Sequence, residues 1–426
     1  MSSPSLPRPV AAADRRTVLT SALAAAGLLL IGSGTARAQA PARARSADGV
    51  TLRLPAPTGP HRIGTTSLYL VDRSRRDPWD PAIPVREVMA TVFYPARTVR
   101  DAPLAPHMTP GAAELFPSFA APFHGLPATG VRWAATMTHA HTGAPARAVR
   151  RPVLLYSPGG GDPRSLGTGL AEELASHGYV VVGVDHPGDA CVVEFPGTTS
   201  YRRSPFRTTV FRDDPRKDPR LARTMIDARI ADLRFVLGQL TALAAGFNPD
   251  ALGRAQPAHL GRALDLRRVG YYGHSAGGTA VAEALYEGHR VAAAVNLEGY
   301  LDRAPARPGQ EGEPYPVARH GVDRPLLLLG TGDFIGRAQA KRELTRSWST
   351  LLAHPGGRVR RHEICHAAHW VFTDYAALAP QLQAAGLMTA AARRALVGTI
   401  APARSVPMVR HHLRSFFARH LHRPEG

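Results

Sequence analysis

Short apolar runs alternate with amphipathic stretches through most of the chain after residue 150. Residues 153–156 and 179–185 are almost continuously apolar, which is typical of parallel strands buried on both faces. Between such runs, apolar residues recur at helical spacing, as do Ile226, Ile230, Leu233, Leu237 and Leu240. This alternation predicts an α/β fold with a mostly parallel central sheet and helices on both of its faces.

The same patterns predict individual elements. The predicted strands are residues 65–71, 86–94, 153–156, 179–185, 268–272, 291–297, 325–329 and 358–364. The predicted helices are the one that carries Ile226 to Leu240 and residues 166–177, 276–287 and 407–420. Two segments are rich in proline and weakly periodic. We interpret residues 101–150 as loop with short helices, and residues 195–220 as an excursion over the surface near the functional site.

The N-terminus has the order of features that is typical of an export signal. The pair Arg15-Arg16 precedes an apolar stretch at residues 22–31, and small residues at alternate positions end at Ala40. Paired arginines in this position are typical of the twin-arginine export route. We therefore expect residues 1–40 to be a cleaved signal peptide, residues 41–60 a linker and residues 61–426 one domain. The mature protein is expected to be periplasmic or secreted.

Composition and charge exclude several classes of protein. The 426 residues carry 52 Lys and Arg against 33 Asp and Glu, a formal net charge of +19, and 44% are hydrophobic. This apolar fraction is too high for a disordered chain. The arginines are scattered, with no basic stripe interleaved with aromatic residues, so no nucleic-acid partner is expected. The arginines of residues 195–220 suggest transient contact with an anionic membrane surface.

Two cysteines are too few for a disulfide scaffold. In an exported protein Cys191 and Cys365 are able to form one disulfide, because that compartment is oxidising. They are equally compatible with two small buried residues, and the sequence leaves both interpretations open.

One motif carries catalytic chemistry. Gly273-His274-Ser275-Ala276-Gly277 fits the pattern G-x-S-x-G, and it lies between a predicted strand and a predicted helix. In that context the glycines permit a sharp turn with the serine in a strained backbone position. The context predicts that Ser275 is a nucleophile rather than a helix-capping serine.

A nucleophilic serine needs a base and an acid that orients the base, and both follow the serine in the chain of such folds. The base is expected in the loop after the last strand, which contains His366 and His369, and we favour His369. Glu298 and Asp333 each follow a predicted strand, with Asp302 a weaker third candidate. Spacing does not separate Glu298 from Asp333.

Two backbone N–H groups are expected to form the oxyanion hole. One is that of Ala276, directly after the nucleophile, and the other belongs to a loop after an earlier strand. The glycine-rich residues 157–161 provide such a loop, because glycine lets the backbone approach a substrate closely.

A competing motif points to zinc. His362-Glu363-Ile364-Cys365-His366 satisfies the metallopeptidase pattern H-E-x-x-H, which binds zinc only when it is helical. The residues before it resemble a strand instead. We therefore expect no metal and no other cofactor, and keep a zinc peptidase as an alternative function.

The chain resembles the α/β-hydrolases of the platelet-activating factor acetylhydrolase type (the plasma and isoform II group) and their bacterial esterase and lipase relatives. Five stretches carry the resemblance: residues 57–60 with 86–87 and 94–96, residues 157–161 with Arg164, residues 174–181 with 185–186, residues 273–278, and His369 with residues 372–375. The resemblance implies that Glu298 is the acid, although the family usually has Asp there, and keeps Asp333 as the alternative. It also implies that Gly160 and Ala276 donate to the oxyanion and that His369 is the base.

Together these observations predict a secreted serine hydrolase with an α/β-hydrolase domain. Its substrate is expected to be a small ester or a lipid, with a short acyl chain or the sn-2 acetyl group of a phospholipid. A hydrolase-like binding protein without activity is the other alternative.

Overall fold

The computed structural model describes residues 49–307, 310–334 and 336–421, all within the compact unit Ser46–Gly426. The predicted signal peptide at residues 1–40 lies outside the described residues. Within them, no helix is both long and apolar enough to cross a membrane.

The described residues form twelve strands and ten α-helices. The strands are β1 Ile63–Asp72, β2 Arg86–Pro95, β3 Leu104–Pro106, β4 Met137–Thr142, β5 Arg151–Ser157, β6 Val180–Asp185, β7 Val192–Glu194, β8 Phe206–Thr208, β9 Leu264–His274, β10 Ala293–Leu297, β11 Leu326–Asp333 and β12 Val359–Ala368. The helices are α1 Pro110–His124, α2 Thr168–Ser176, α3 Pro219–Ala244, α4 Leu260–Ala263, α5 Ala276–Glu287, α6 Pro316–His320, α7 Ala338–Leu352, α8 Tyr375–Ala384, α9 Ala390–Val397 and α10 Pro402–Leu421. Short 3₁₀ helices lie at Trp133–Ala135, Arg164–Gly167, Pro215–Lys217 and His369–Phe372.

Ten strands form one central sheet in the order β12-β11-β10-β9-β5-β6-β2-β1-β4-β3. The six strands from β12 to β6 are mutually parallel, and β2 pairs antiparallel with both β6 and β1. The predicted strands 65–71 and 86–94 thus form an antiparallel pair, which lies inside the sheet because β4 and β3 extend the edge. Parallel strands end on the same side, so the loops after β5, β9, β10 and β12 meet at one edge.

Helices cover both faces of the sheet. On one face, apolar side chains of α3, α5 and α7 pack against the strands, and on the other those of α2 and α10 do so. Each face buries a separate apolar core, which explains why the central strands are apolar on both sides. The predicted α/β class, with a mostly parallel sheet between two helical layers, is confirmed.

Residues 101–150 are more regular than expected. They contain the 15-residue helix α1 and two strands that join the main sheet, β3 and β4. Helix α1 begins with proline at its first position and ends at Gly125, whose φ of 62° closes the helix. Pro117 and Pro122 lie within the helix, so the sequence of this segment does not show a helical pattern. The expectation of loop with short helices is wrong for this segment.

Part of the predicted linker is packed against the domain. Leu52 and Leu54 are buried, and Thr58 donates hydrogen bonds to Glu173 from its backbone N (2.9 Å) and its hydroxyl (2.6 Å). A side chain at Gly59 would overlap the backbone of Ser176. Residues 49–60 therefore belong to the packed structure rather than to a loose connection.

A buried ion pair joins strand β2 to helix α3. Arg86, at the start of β2, is fully buried and donates to both carboxylate oxygens of Asp232 in α3, at 3.1 and 2.7 Å. It also donates to Asp77 (2.9 Å) and to the carbonyl of Pro187 (2.8 Å). Helix α3 is thereby fixed to the antiparallel part of the sheet.

Loss of Arg86 should destabilise the protein strongly. We expect Arg86→Met to lower the free energy of unfolding by about 3–5 kcal/mol, because two buried carboxylates lose their fully buried partner and keep only the partly exposed Arg75 and Arg207. Denaturant unfolding measures this. The control is Arg234→Met, whose exposed pair with Glu287 (2.7 Å) should contribute about 0–1 kcal/mol. Equal losses in the two variants would contradict this account of the buried pair.

Candidate active site

Ser275 lies in a sharp turn between β9 and α5. Its φ of 52° and ψ of −120° are strained for a residue with a side chain, and its N–H donates to the carbonyl of Leu297 at 2.9 Å. A Cβ at Gly273 would lie 2.3 Å from the carbonyl oxygen of Gly277. The glycines of the motif are therefore required by close backbone contacts, and the serine is left half-exposed at the edge of the sheet.

His369 and Glu298 meet beside this turn. Nδ1 of His369 lies 2.9 Å from Oε2 of Glu298, and both side chains are buried. The other carboxylate oxygen of Glu298 accepts from the backbone N (2.6 Å) and the hydroxyl (2.7 Å) of Thr331. Since the carboxylate accepts at Nδ1, the geometry assigns the imidazole proton to that nitrogen and leaves Nε2 as an acceptor.

Burial governs the charge of this pair. It lowers the pKa of His369 far below its usual value, so the resting imidazole is neutral. Burial also raises the pKa of Glu298, while the hydrogen bonds from Thr331 and the charge of Lys341 act in the opposite direction. With three donors directed at it, the carboxylate is suited to stabilise an imidazolium that forms transiently.

The other sequence candidates lie elsewhere. Asp333 is exposed and its carboxylate accepts from the N–H of Gly336 (3.1 Å). His366 is exposed at a φ of 61°, and its carbonyl accepts from Thr399 (2.8 Å) and Ile400 (3.0 Å). The structure thus brings Glu298, and neither Asp333 nor His366, together with His369. Among the described residues, no hydrogen bond joins Ser275 Oγ to His369, a contact that often tightens only when substrate binds.

The backbone of Gly160 lies next to the nucleophile turn. A Cβ built on Gly160 would be 3.7 Å from Cβ of Ala276 and 3.3 Å from the sulfur of Met225. Ala276 is the first residue of α5, where the N–H groups of a helix point outward without partners. The two residues predicted to supply the oxyanion hole therefore lie next to each other beside Ser275.

Sequence reasoning missed a buried group that supports His369. Nε2 of His274 lies 3.0 Å from the carbonyl oxygen of His369, and Asp162 lies between His274 (3.6 Å) and His124 (2.9 Å). Burial alone would raise the pKa of Asp162, but the two histidines lower it below its usual range. His274 is the variable position of the G-x-S-x-G motif, so the pattern gave no signal for it.

The zinc-like motif is not helical. His362, Glu363 and His366 lie in the edge strand β12, where residues four apart are about 13 Å from each other. Glu363 instead pairs with Lys341 (3.0 Å). In the part of the chain that the structure describes, no three His, Cys, Asp or Glu side chains are grouped to hold a metal ion.

The two cysteines are not bonded to each other. Cys191 is buried and Cys365 is exposed on β12, and both are free thiols. Burial raises the pKa of Cys191, which makes this thiol unreactive.

Comparison with known proteins gives a consistent result. The model of the family "Platelet-activating factor acetylhydrolase, isoform II" matches residues 51–343. A "Probable 1-alkyl-2-acetylglycerophosphocholine esterase" from Arthroderma benhamiae is 27% identical over 383 residues, covering 85% of this chain and 87% of the relative. The structure of a ferulic acid esterase from Streptomyces cinnamoneus superposes with a TM-score of 0.65 and 30% identity, covering 88% of this chain and 97% of the other.

The packing of α5 against the glycine loop can be tested without an activity assay. A Cβ at Gly277 would lie 2.0 Å from the carbonyl oxygen of Ser157, so we expect Gly277→Ala to destabilise the protein by about 1–3 kcal/mol. Gly238 lies within α3 with open space around it, so Gly238→Ala should stabilise by about 0.5–1 kcal/mol. Thermal and denaturant unfolding of both variants measure these changes. A shift in stability in the same direction for both variants would refute the assigned contact.

Proposed function

Because the chain belongs to the platelet-activating factor acetylhydrolase isoform II family, as the sequence resemblance predicted, we propose that it hydrolyses carboxylic esters through an acyl-enzyme on Ser275. The observation that carries the mechanism is the hydrogen bond between His369 and Glu298 beside the strained turn of Ser275. Export is part of the same proposal and rests on the sequence of residues 1–40, which cell fractionation can examine.

The proposed reaction uses each group in a defined role. Ser275 Oγ attacks the ester carbonyl while Nε2 of His369 accepts its proton. Glu298 holds the ring and stabilises the imidazolium. The N–H groups of Gly160 and Ala276 donate to the oxyanion of the tetrahedral intermediate. His369 then returns the proton to the leaving alcohol, and water releases the acyl group by the same steps.

Two ester classes are candidate substrates. The similarity to a 1-alkyl-2-acetylglycerophosphocholine esterase supports a short acyl group, such as the sn-2 acetyl group of a phospholipid. The similarity to a ferulic acid esterase supports a flat aromatic acyl group as the second candidate. One structural observation favours the latter: the partly exposed ring of Trp370 packs edge-on against His369, with ring centroids 4.9 Å apart. Flat rings of this kind can hold an aromatic acyl group by stacking.

A substrate panel tests the function and separates the two classes. We expect wild-type protein to hydrolyse p-nitrophenyl acetate and Ser275→Ala to lose at least about 10³-fold in kcat while its melting temperature stays similar. Hydrolysis of a 2-acetyl phospholipid, compared with methyl ferulate, assigns the acyl preference through kcat/KM. Retention of full activity by Ser275→Ala, or loss of activity on adding a chelator, would overturn the proposed chemistry.

The identity of the acid can be tested in the same assay. We expect Glu298→Gln to lower kcat by about 10²–10⁴-fold, because the neutral amide cannot stabilise the imidazolium. Asp333→Asn should leave kcat within about twofold, since its carboxylate caps an exposed turn. The reverse pattern would assign the role to Asp333.

A further inference from the structure

A second set of serine, histidine and aspartate lies behind the glycine loop of residues 157–161. Ser157 Oγ is 2.9 Å from Nε2 of His186, and Nδ1 of His186 is 3.0 Å from Oδ2 of Asp232. The atoms match those of a catalytic triad, but the three residues are 0%, 1% and 0% exposed. A substrate cannot reach Ser157, so this group is able to act on a reaction only through its neighbours.

The direction of each hydrogen bond follows from the charges. Burial and the charge of Arg229 lower the pKa of His186 in spite of the nearby Asp232, so its ring is neutral. Burial alone would raise the pKa of Asp232, but Arg86 and His186 hold it below its usual range. Arg229 Nη1 donates to Ser157 Oγ at 3.2 Å. Ser157 therefore donates its own proton to Nε2 of His186, and Nδ1 of His186 donates to Asp232.

Arg229 and Asp189 clamp the same loop. The two side chains form a buried, two-point ion pair with distances of 2.6 and 2.7 Å. Arg229 also donates to the carbonyl oxygens of Pro158 and Gly159, the latter at 2.9 Å. Asp189 accepts from the N–H of Gly161 at 3.0 Å.

These contacts hold the loop on both sides of Gly160 and leave Gly160 itself free. Its N–H has no hydrogen-bond partner among the residues that the structure describes. The two peptide units that flank Gly160 are each held by a hydrogen bond, one through the carbonyl of Gly159 and the other through the N–H of Gly161. An N–H donor stabilises an oxyanion effectively only when its direction is set before the reaction.

We propose that Ser157, His186, Asp232, Arg229 and Asp189 form a positioning unit that directs the N–H of Gly160 at the oxyanion. The inference rests on the proposed esterase function and deepens it. None of the five residues touches the substrate, and their effect reaches the reaction through the loop alone. Helix α3 supplies both Arg229 and Asp232, one turn apart, so one helix face holds both ends of the unit.

The test uses Ser157→Ala in the full-length protein. We expect kcat for p-nitrophenyl acetate to fall about 10–100-fold while KM changes less than about threefold, because oriented donors act in the transition state. The affinity for a boronic acid, which forms a tetrahedral adduct on the nucleophile, should fall by the same factor as kcat/KM. Ser157→Thr keeps the hydroxyl and should recover most of the lost activity.

Ser176→Ala is the matched control. Ser176 is also fully buried, and its hydroxyl donates to Glu173 (2.7 Å) and accepts from Gly59 (3.0 Å). It should lower the melting temperature with kcat and boronate affinity unchanged. If Ser157→Ala behaves like this control, the residue is only structural and the inference is wrong.

A second variant covers the case in which Ser157→Ala does not fold. Asp189→Asn keeps the size of the side chain but weakens its ion pair with Arg229, and should show the same joint loss of kcat and boronate affinity. If folded Asp189→Asn keeps the wild-type kcat and boronate affinity, the inference is wrong, whereas ester hydrolysis by the wild-type protein still supports the proposed function. Wild-type protein without esterase activity would overturn both.

Discussion

The buried pairs of arginine and aspartate are the constraint on which the candidate site depends. Arg86 with Asp232, and Arg229 with Asp189, bury charges that would be very costly alone but are balanced when fully paired and hydrogen-bonded. Both pairs include a residue of α3, so together they hold the helix against the strand ends. The glycine loop takes its shape from that position, because Arg229 bonds to its carbonyl groups. Packing of apolar side chains positions the helical layers on the sheet, whereas these ion pairs fix the position of the glycine loop between them.

The residues that the structure describes include two serine–histidine–acid arrangements with opposite properties. In the buried one, Ser157 lies at the end of β5 with normal backbone and its hydroxyl bonded to His186. In the other, Ser275 lies in a strained turn, half-exposed, with unpaired N–H groups nearby. Reactivity therefore depends on access and on donors for the oxyanion, and not on the three side chains alone. This difference explains why a search for residue types would find both and a search for backbone conformation would find one.

The sequence predicts those parts of the molecule that depend on local pattern. Apolar runs reveal the parallel strands, and the glycines around Ser275 reveal the turn, because each is a property of neighbouring residues. Helix α1 escapes prediction since Pro117 and Pro122 interrupt its pattern. Strand β3 has only three residues and four of the six residues of β4 are polar, so neither shows an apolar run. The buried ion pairs escape for a different reason. Arg86 and Asp232 are 146 residues apart, so only the folded chain shows that they meet.

The turns after β9 and β10 support each other at the centre of the site. Glu298 has a positive φ of 63°, as Ser275 has one of 52°, at a cost of about 1–3 kcal/mol for each turn. The N–H of Ser275 bonds to the strand that precedes Glu298, and a Cβ at Gly299 would lie 2.4 Å from the carbonyl oxygen of Ser275. Neither turn can relax without displacing the other. Thr331 then holds one oxygen of Glu298, so this side chain directs its other oxygen at His369. The two strained turns and the hydrogen bonds from Thr331 together place the carboxylate of Glu298 beside His369.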